Sequence, residues 1–494
     1  MWYLPVREVW LDESHSALLA GMPIRQLLSF VRGDVHPPLY FLLLRGWTSV
    51  MGDAPWALRG FSVLATTAAG IAFAALALKV FGRRPAAVLA AWLFWLSPVL
   101  FYYSVEVRMY ALAILWWILT LTALDQILRS PAPSRRMVLG LVLAAVAAFY
   151  THYAAVFALL GLFAFWMVEV AGKRALLRPL LIAGTGISLL CLPWLPVLLQ
   201  QREAKAGLRG EEMGARSEPT SLSFGTDSNP DREVSGTVRS ALENAASVAG
   251  VFPSRHPVLL GLFAIPLVIP LGLGISQVGR FPRVRQLLWV SALVLGGGLL
   301  AGITARRFLI FLVPVLVLAL TEVLDDLATR RRRSALVLGL ALVVIYGSGT
   351  LRVLREPDQR PTEAVVATLR SGMRPGDVVV VSALYYEILL EYHAHQAGVE
   401  LRVSGFPVSI RDWWARQPFK GWGGPAITEA DLAGFVGRLR AEAGGHTVWL
   451  VLFENRYYDP RHRLLSALTG AARSVTPLLP SAATAGQQLY RIDL

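Results

Sequence analysis

The stretch "PWALRGFSVLATTAAGIAFAALALKVFGRRP", residues 55–85, decides the fold, because it joins a long apolar run to a pair of arginines. A helix that crosses a bilayer needs about 20 mostly apolar residues, and this run supplies them. Arginines directly after such a run are typical of a connection on the cytoplasmic side of a membrane. The stretch therefore predicts a membrane-spanning helix that ends in the cytoplasm.

Similar apolar runs recur through the middle of the chain. The chain is 55% hydrophobic and 16% charged, and soluble domains have a charged share of about 25%. Composition and pattern together predict a polytopic α-helical membrane protein with a transmembrane domain at residues 55–352. We count ten candidate spans, at 55–80, 85–103, 109–128, 136–150, 153–171, 178–199, 257–278, 286–304, 307–325 and 335–352.

Arginine-rich connections alternate with connections that lack them. By the positive-inside rule the rich ones are cytoplasmic, and they contain Arg83 and Arg84, Arg135 and Arg136, Lys173 and Arg174, Arg283 and Arg285, and Arg330 to Arg333. This parity places the long 200–256 loop, the first 54 residues and everything after residue 352 outside the cytoplasmic (inner) membrane. The net charge of +14 does not indicate nucleic-acid binding, because its arginines form short clusters rather than one basic face.

The two ends of the chain differ from its middle in their hydrophobic pattern. Residues 1–54 form an extracytoplasmic loop with juxtamembrane helices, and "PPLYFLLLRGWTSVMG" at 37–52 predicts a helix along the membrane surface. Because residues 1–54 hold no full span, we expect a first transmembrane span to be missing from this chain.

Residues 353–494 predict a small extracytoplasmic α/β domain with strands at 377–382, 399–403 and 446–454. The first half of the 200–256 loop lacks apolar periodicity, so we expect this loop to be poorly ordered and to fold down when a lipid donor binds.

Two adjacent carboxylates, Asp12 and Glu13, stand out in "VWLDESHSALLA" at residues 9–20. A carboxylate ahead of a helix often caps its amide groups. It can also accept a proton from a hydroxyl or hold a divalent cation. The spacing alone does not decide between a helix cap, a general base and a metal ligand.

Other candidate residues share the outer side with Asp12. They are Asp34 and His36 in "GDVHPPLYF", Tyr103, Glu106 and Arg108 in "YYSVEVRMY", His152 in "YTHY", and Arg306 with Arg307. Read singly, Glu106, Arg108 and His152 are as well explained as interface residues in an aromatic belt. Read together, they suit a substrate that is half lipid and half phosphate.

In that reading the cationic or hydrogen-bonding groups hold the phosphate, namely His36, Arg108, Arg306 and Arg307. Asp34, Tyr103 and His152 are candidates for contacting the rest of the substrate. We predict that Asp12, His36, Glu106 and Arg108 line one cavity. Asp12 and Glu106 are also candidate ligands for a divalent metal, although no ligand set has diagnostic spacing, and no other cofactor is expected.

The motifs "WLDES", "DVHPPLYFLLLRGW", "ALRGFSVL", "SVEVRMYAL", "YTHY" and "RRFLIFLVPVLVL" resemble the bacterial polyprenyl-phosphate-dependent glycosyltransferases of the GT-C fold. This group includes protein O-mannosyltransferases (glycosyltransferase family 39) and the lipid A aminoarabinose transferase. The resemblance covers residues 9–353. It implies that Asp12, beside Glu13, is the catalytic or metal-proximal acid of the first outer loop. It also implies that His36 helps to bind the lipid phosphate, and that Glu106 is the acid after the third span.

The sequence thus predicts an integral-membrane glycosyltransferase that moves a sugar from a polyprenyl-phosphate donor to a lipid, glycan or protein acceptor on the outer face. The catalytic candidates are Asp12, Glu13 and Glu106. The alternatives are a lipid or solute transporter and a non-catalytic membrane scaffold. Transporters place ionisable sites near mid-membrane and often contain repeats, whereas this chain has its charges at the ends of the runs and no internal repeat.

Overall fold

The computed structural model describes residues 8–82, 84–170, 174–203, 257–300, 306–355, 362–382, 384–416, 429–453, 462–479 and 487–494. Residues 204–256 lie outside this range, so the expectation for the 200–256 loop remains a prediction. The side chain of Arg306 is likewise outside the described residues.

Three short helices precede the first long one. They are α1 (Leu11–Gly21), α2 (Ile24–Arg32) and α3 (Leu39–Met51). The helix predicted within residues 37–52 is confirmed as α3, which begins directly after Pro38 and ends at Met51, before the C-cap residue Gly52. Its position along the membrane surface remains a prediction. Gly52 has φ +79, a left-handed backbone conformation that glycine adopts without steric cost. Helix α1 packs against α3.

A helical bundle follows, and each predicted span overlaps one of its helices, except the span at 85–103, which overlaps two. Its members are α4 (Pro55–Phe81), α5 (Arg84–Trp95), α6 (Pro98–Ser104), α7 (Tyr110–Arg129), α8 (Arg135–Thr151), α9 (Ala155–Glu169), α10 (Arg174–Cys191), α11 (Pro257–Ser276), α12 (Pro282–Leu300), α13 (Leu312–Arg330) and α14 (Arg332–Arg355). Helices α5 and α6 form one predicted span, bent by 56° at Pro98, where a missing amide donor interrupts the helix.

Length and composition allow five helices to cross a membrane, or six with the bent pair as one span, among the residues that the structure describes. The chain is therefore a multi-pass membrane protein, and the count of ten spans remains a prediction. Helix α13 is the central one. Together with part of the preceding 3-10 turn (Arg306–Phe311) it forms the candidate span Arg307–Arg330, whose most apolar window is 83% buried.

Close packing between helices depends on small residues. A Cβ atom added at Gly161 of α9 would lie 2.6 Å from the Cα of Val290 in α12, so only glycine allows this approach of the two backbones. Ion pairs add to this packing. Arg285, near the start of α12, pairs with Glu169 at the end of α9, and Arg283 of α12 pairs with Asp125 of α7. These ion pairs join α7, α9 and α12.

A five-stranded sheet with flanking helices forms the C-terminal part. In chain order it contains α15 (Thr362–Gly372), β1 (Val378–Ser382), α16 (Tyr386–Gln396), β2 (Val403–Phe406), α17 (Ile410–Arg416), α18 (Glu429–Ala443), β3 (Thr447–Leu452), α19 (Arg463–Ala471), β4 (Ser474–Leu479) and β5 (Gln488–Asp493). The strand order is β2-β1-β3-β5-β4. Strand β1 is parallel to β2 and β3, while β5 is antiparallel to β3 and β4.

Two of the three predicted strands are confirmed, as β1 and β3. The strand predicted at 399–403 is shifted, because β2 begins only at Val403. Residues just before it are used to end α16: Gly398 takes φ +67, and the amide of Val399 donates to the carbonyl of Ala394. Strands β4 and β5 had no sequence prediction. Helix α16 packs directly on α1, so the sheet region covers the N-terminal helices.

Candidate active site

Asp12 is the second residue of α1, and Trp10 occupies the N-cap position. The helix-cap interpretation of Asp12 is therefore wrong, because α1 begins at Leu11, two residues earlier than it would if Asp12 were the N-cap. The Asp12 carboxylate instead lies between two guanidinium groups, 3.8 Å from Nη2 of Arg108 and 3.9 Å from Nη1 of Arg307. Its side chain is 13% exposed, so a substrate can reach it.

Arg108 lies on the short connection between α6 and α7 and is buried. Its Nη1 also donates to the backbone carbonyl of Asp12 at 3.4 Å. Burial alone would lower the pKa of Arg108, but the Asp12, Asp34 and Glu106 carboxylates act against it, and the pKa is raised above its ordinary value. Arg108 is thus a permanent buried cation beside Asp12.

His36 links Arg108 to a second carboxylate. Its Nδ1 lies 3.1 Å from Oδ2 of Asp34, and its Nε2 lies 3.1 Å from Nη2 of Arg108. An arginine can only donate, so Nε2 accepts from Arg108, and Nδ1 carries the proton that is donated to Asp34. Burial lowers the pKa of His36, the Arg108 cation acts in the same direction, and Asp34 opposes both. His36 is therefore neutral and orients Arg108.

Glu13 points away from Asp12 into a closed network. Its carboxylate accepts from Nη2 of Arg59 at 3.1 Å, from the amide of Val107 at 2.9 Å and from the amide of Trp10 at 3.2 Å. The side chains of Glu13 and Arg59 are 2% and 1% exposed. This arrangement ties α1 to α4 and to the connection that carries Arg108, which is what a positioning residue does.

Glu106 lies beneath this network and is buried. Its backbone carbonyl accepts from Oγ of Ser62 at 2.6 Å and from the amide of Arg108 at 2.7 Å. The structure thus joins Asp12, His36 and Arg108 directly, and brings Glu106 next to them through its neighbour Val107, which donates to Glu13.

Three aromatic side chains lie next to Arg307 and form the aromatic wall of the site: Tyr103, Tyr110 and His152. The rings of Tyr103 and Tyr110 are 4.5 Å apart, and those of Tyr110 and His152 are 5.8 Å apart. Nδ1 of His152 accepts from the amide of Ala154 at 3.1 Å, so its proton is on Nε2. Burial lowers the pKa of His152 well below its usual value, with His36, Arg307 and Arg108 acting in the same direction.

An apolar pocket opens next to this wall and is lined by Tyr103, Tyr110, Leu100, Ile114 and Ile310, among others. Arg307 itself is 40% exposed. The phenol rings and the half-exposed cation thus provide neighbouring surfaces for a polar ring and an anion.

Metal-ligand geometry is found elsewhere. Among the described residues, the one group of three His, Cys, Asp or Glu side chains with ligand atoms within 4.8 Å of one another is Glu8, Glu363 and His393. Neither Asp12 nor Glu106 belongs to it. Asp12 and Glu106 as metal ligands therefore remain a prediction.

Two residues of the site had no role in the sequence-based prediction. His15 lies one helical turn from Asp12 on α1, where a three-residue spacing brings side chains to one face and so could have signalled it. Its pKa is lowered to about 4 by burial, with Asp34 opposing and Arg108 reinforcing the shift. Arg59 was overlooked as the partner of Glu13, although a lone arginine in the first turn of an apolar helix needs a partner.

Part of the chain matches a protein-family model, and the whole chain is similar to solved structures. Residues 35–197 match the family model described as dolichyl-phosphate-mannose-protein mannosyltransferase. The chain is similar in structure to ArnT from Cupriavidus metallidurans in the apo state, with a TM-score of 0.64 and 12% identity over 99% of this chain and 95% of that chain. For ArnT from the same organism bound to undecaprenyl phosphate, the TM-score is 0.47 and the identity 13% over the same shares. No curated protein matches the sequence.

The similarity to apo ArnT establishes the fold, a helical bundle with a small C-terminal sheet region. The family match covers the part of the chain that holds His36, Tyr103, Glu106, Arg108 and His152. The predicted resemblance to GT-C-type glycosyltransferases is confirmed by these two findings, and they indicate that the chain is an enzyme, a membrane glycosyltransferase.

Proposed function

We propose that this glycosyltransferase moves a sugar from a polyprenyl-phosphate-linked donor to a hydroxyl-bearing acceptor at the outer face of the cytoplasmic membrane, with Asp12 as the general base. The observation that carries the proposal is the position of the Asp12 carboxylate, 3.8 Å from Arg108 and 3.9 Å from Arg307. The matched family is named for a polyprenyl-phosphate sugar, dolichyl-phosphate-mannose, which makes mannose the first sugar to test.

Arg108 and Arg307 bind the donor phosphate in this proposal. Guanidinium groups match the geometry of phosphate oxygens and remain charged at every relevant pH. Arg108 is buried and held by His36, whereas Arg307 is half-exposed and can follow the ligand. Arg306, whose side chain is not described, is a further candidate.

The reaction is a single displacement with inversion at the anomeric carbon. The acceptor oxygen attacks that carbon, its proton passes to the Asp12 carboxylate, and the bond from the anomeric carbon to the phosphate oxygen breaks. The bonding electrons leave with the polyprenyl phosphate, where the two arginines stabilise the charge as it develops. A base at Asp12 and cations on both sides of it supply both parts of this step.

The remaining candidates have supporting roles. His36 acts through Arg108, because its Nε2 is already occupied by that side chain, and Asp34 holds its other nitrogen. Glu13 fixes α1 through Arg59. Glu106 orients the sugar or acceptor, and Tyr103 and His152 offer aromatic faces on which a sugar ring can stack.

The location of the charged cluster favours transfer over transport. Asp12, Arg108 and Arg307 lie on a helix terminus and on connections between helices, whereas transporters place their ionisable sites near mid-membrane. A scaffold with no chemistry does not explain why the buried cation Arg108 and the half-exposed cation Arg307 both lie beside one carboxylate, because a charge is costly to bury without a use.

The test is a transfer assay with purified protein in detergent, with polyprenyl-phosphate mannose as donor and lipid, glycan and peptide acceptors in parallel. We expect sugar transfer from this donor and none from a nucleotide sugar. Arg307→Gln should raise the KM for donor about 10-fold through loss of one charged phosphate contact, and Arg307→Lys should retain part of the affinity.

Arg280→Gln serves as the control, since Arg280 is half-exposed and pairs with Asp326 far from the site. Transfer from nucleotide sugars, or an unchanged donor KM in Arg307→Gln, would contradict the proposal.

A further inference from the structure

We propose that the C-terminal α/β region takes part in catalysis by positioning the helix that carries Asp12, and that His393 of α16 is the positioning residue. The inference rests on the proposed role of Asp12. It goes further because it assigns a function to a part of the chain whose described residues contribute no side chain to the phosphate site.

Helix α1 is held from two sides, and only one of them belongs to the membrane bundle. On the bundle side, Glu13 binds Arg59 of α4 and the amide of Val107. These contacts fix one face of the helix. Arg59 also donates to the carbonyl of Glu8 at 3.1 Å, and Arg108 donates to that of Asp12 at 3.4 Å. All of these contacts lie on the bundle side, so the opposite side of the first turn, where Asp12 lies, needs a separate support.

His393 holds that opposite side. Its Nε2 donates to the backbone carbonyl of Val9 over 2.8 Å, immediately before the N-cap residue Trp10. His393 and Val9 are 6% and 1% exposed, so water does not replace the bond. A buried carbonyl without a donor is costly, and loss of this donor therefore favours movement of the segment that leads into α1. Burial lowers the pKa of His393, which keeps it neutral.

A second contact from the same region supports the middle of α1. The ring of Trp414, on α17, lies edge-on to His15 with centroids 5.6 Å apart, and 4.7 Å from Phe30 of α2. The sheet region thus contacts α1 both before Asp12 and one turn after it. With Asp12 between these two supports, its distances to Arg108 and Arg307 depend on both.

A neighbouring contact makes it possible to distinguish positioning of α1 from docking of the sheet region on the bundle. Tyr392, next to His393 on α16, donates from its hydroxyl to the backbone carbonyl of Asp53 at 3.0 Å. That bond also joins the sheet region to the bundle, but it ends between α3 and α4 rather than on α1. Tyr392→Phe therefore weakens docking without releasing α1.

The experiment compares full-length wild type, His393→Leu, His393→Gln and Tyr392→Phe in the transfer assay, with hydrogen exchange of residues 8–21 measured on the same samples. We expect His393→Leu to lose at least about 10-fold in kcat with little change in donor KM, since a displacement of about 1 Å can cost this much or more. Its α1 amides should exchange faster. Glutamine places an amide donor where Nε2 was, so His393→Gln should recover part of both.

Tyr392→Phe should resemble wild type in kcat and in α1 exchange. A normal kcat and unchanged exchange in His393→Leu would overturn the inference, and so would equal losses in His393→Leu and Tyr392→Phe that follow thermal stability. Wild type that transfers no sugar from any donor would instead defeat the proposed function, and the exchange data would still test whether His393 holds α1.

Discussion

His15 is a buried histidine beside the Asp12 and Arg108 pair, and its pKa is lowered to about 4, chiefly by burial. The unfolded chain binds a proton near pH 6.5, so it takes up more protons than the folded chain between these values. Stability from this residue is therefore complete above about pH 6.5 and is lost as the pH falls towards 4. The slope from one such group is at most about 1.4 kcal/mol per pH unit.

His15→Phe removes this proton uptake and keeps an aromatic ring against Phe30 and Trp414. We predict that its thermal unfolding temperature in detergent falls less than that of wild type between about pH 7 and about pH 4.5. A residual slope will remain, because burial also lowers the pKa values of His36, His152 and His393. Parallel pH profiles for the two proteins would contradict this account.

The Glu13 and Arg59 pair gives a second prediction at this scale. Both side chains are almost fully buried, so Glu13→Gln leaves the Arg59 cation without its carboxylate and should cost about 3 kcal/mol of stability. The double variant Glu13→Gln with Arg59→Met removes the stranded charge as well and should be more stable than Glu13→Gln alone. Thermal unfolding measures both, and a double variant that is less stable than either single one would refute the pairing.

At the candidate site, sequence analysis predicted a set of residues on one side of the membrane but not the partners of each side chain. Topology alone brought Asp12, His36 and Arg108 to one side of the membrane, and the structure joins them. That Glu13 turns towards Arg59 depends on where α1 begins, because a shift of one residue rotates every side chain by about 100°. A boundary known only to within a few residues does not fix this direction.

At the scale of elements, the close approach of α9 and α12 depends on Gly161 of α9. A Cβ there would meet the Cα of Val290 at 2.6 Å and the carbonyl oxygen of Trp289 at 2.8 Å. Because both are backbone atoms of α12, no side-chain rotation relieves the clash. We predict that Gly161→Ala lowers stability by about 1–3 kcal/mol. Thermal unfolding in detergent, with residual activity as a second readout, tests this.

Gly140 of α8 is the matched control, since a Cβ there meets nothing within 4 Å. Gly140→Ala should be neutral or stabilise the protein by up to about 1 kcal/mol, because alanine has the higher helix propensity. Equal effects of the two substitutions would show that the packing of α9 on α12 does not govern stability.

Long apolar runs predicted helices well, because a membrane span must satisfy its backbone groups internally. Short elements were predicted less well. The shifted strand β2 and the unpredicted β4 and β5 have in common that their pairing is set by distant partners rather than by local pattern. In β4, Ser474, Thr476 and Pro477 are exposed, which removes the apolar alternation that identifies a strand.

At the scale of the whole molecule, the alternation of arginine-rich connections gives a testable orientation. Ala132, between α7 and α8, and Ala367, on α15, are both exposed. In a Cys191→Ala background, we predict that Ala367→Cys reacts with a membrane-impermeant maleimide in intact cells. Ala132→Cys should react only after the membrane is opened. The reverse pattern of reactivity would show that the topology is inverted, and it would contradict transfer at the outer face.

The central claim is that the Asp12 carboxylate does chemistry, and the most direct measurement compares Asp12→Asn with wild type in the transfer assay. Asparagine keeps the size and hydrogen-bonding reach of the side chain but neither accepts the proton nor carries the charge between Arg108 and Arg307. The control is Asp53→Asn, which removes a half-exposed acid at the α3–α4 connection.

We predict that Asp12→Asn lowers transfer by about 100-fold or more while the unfolding temperature and donor affinity stay close to those of wild type and Asp53→Asn remains active. Near-normal transfer by Asp12→Asn would contradict the account, and so would a loss of activity that only follows a loss of stability.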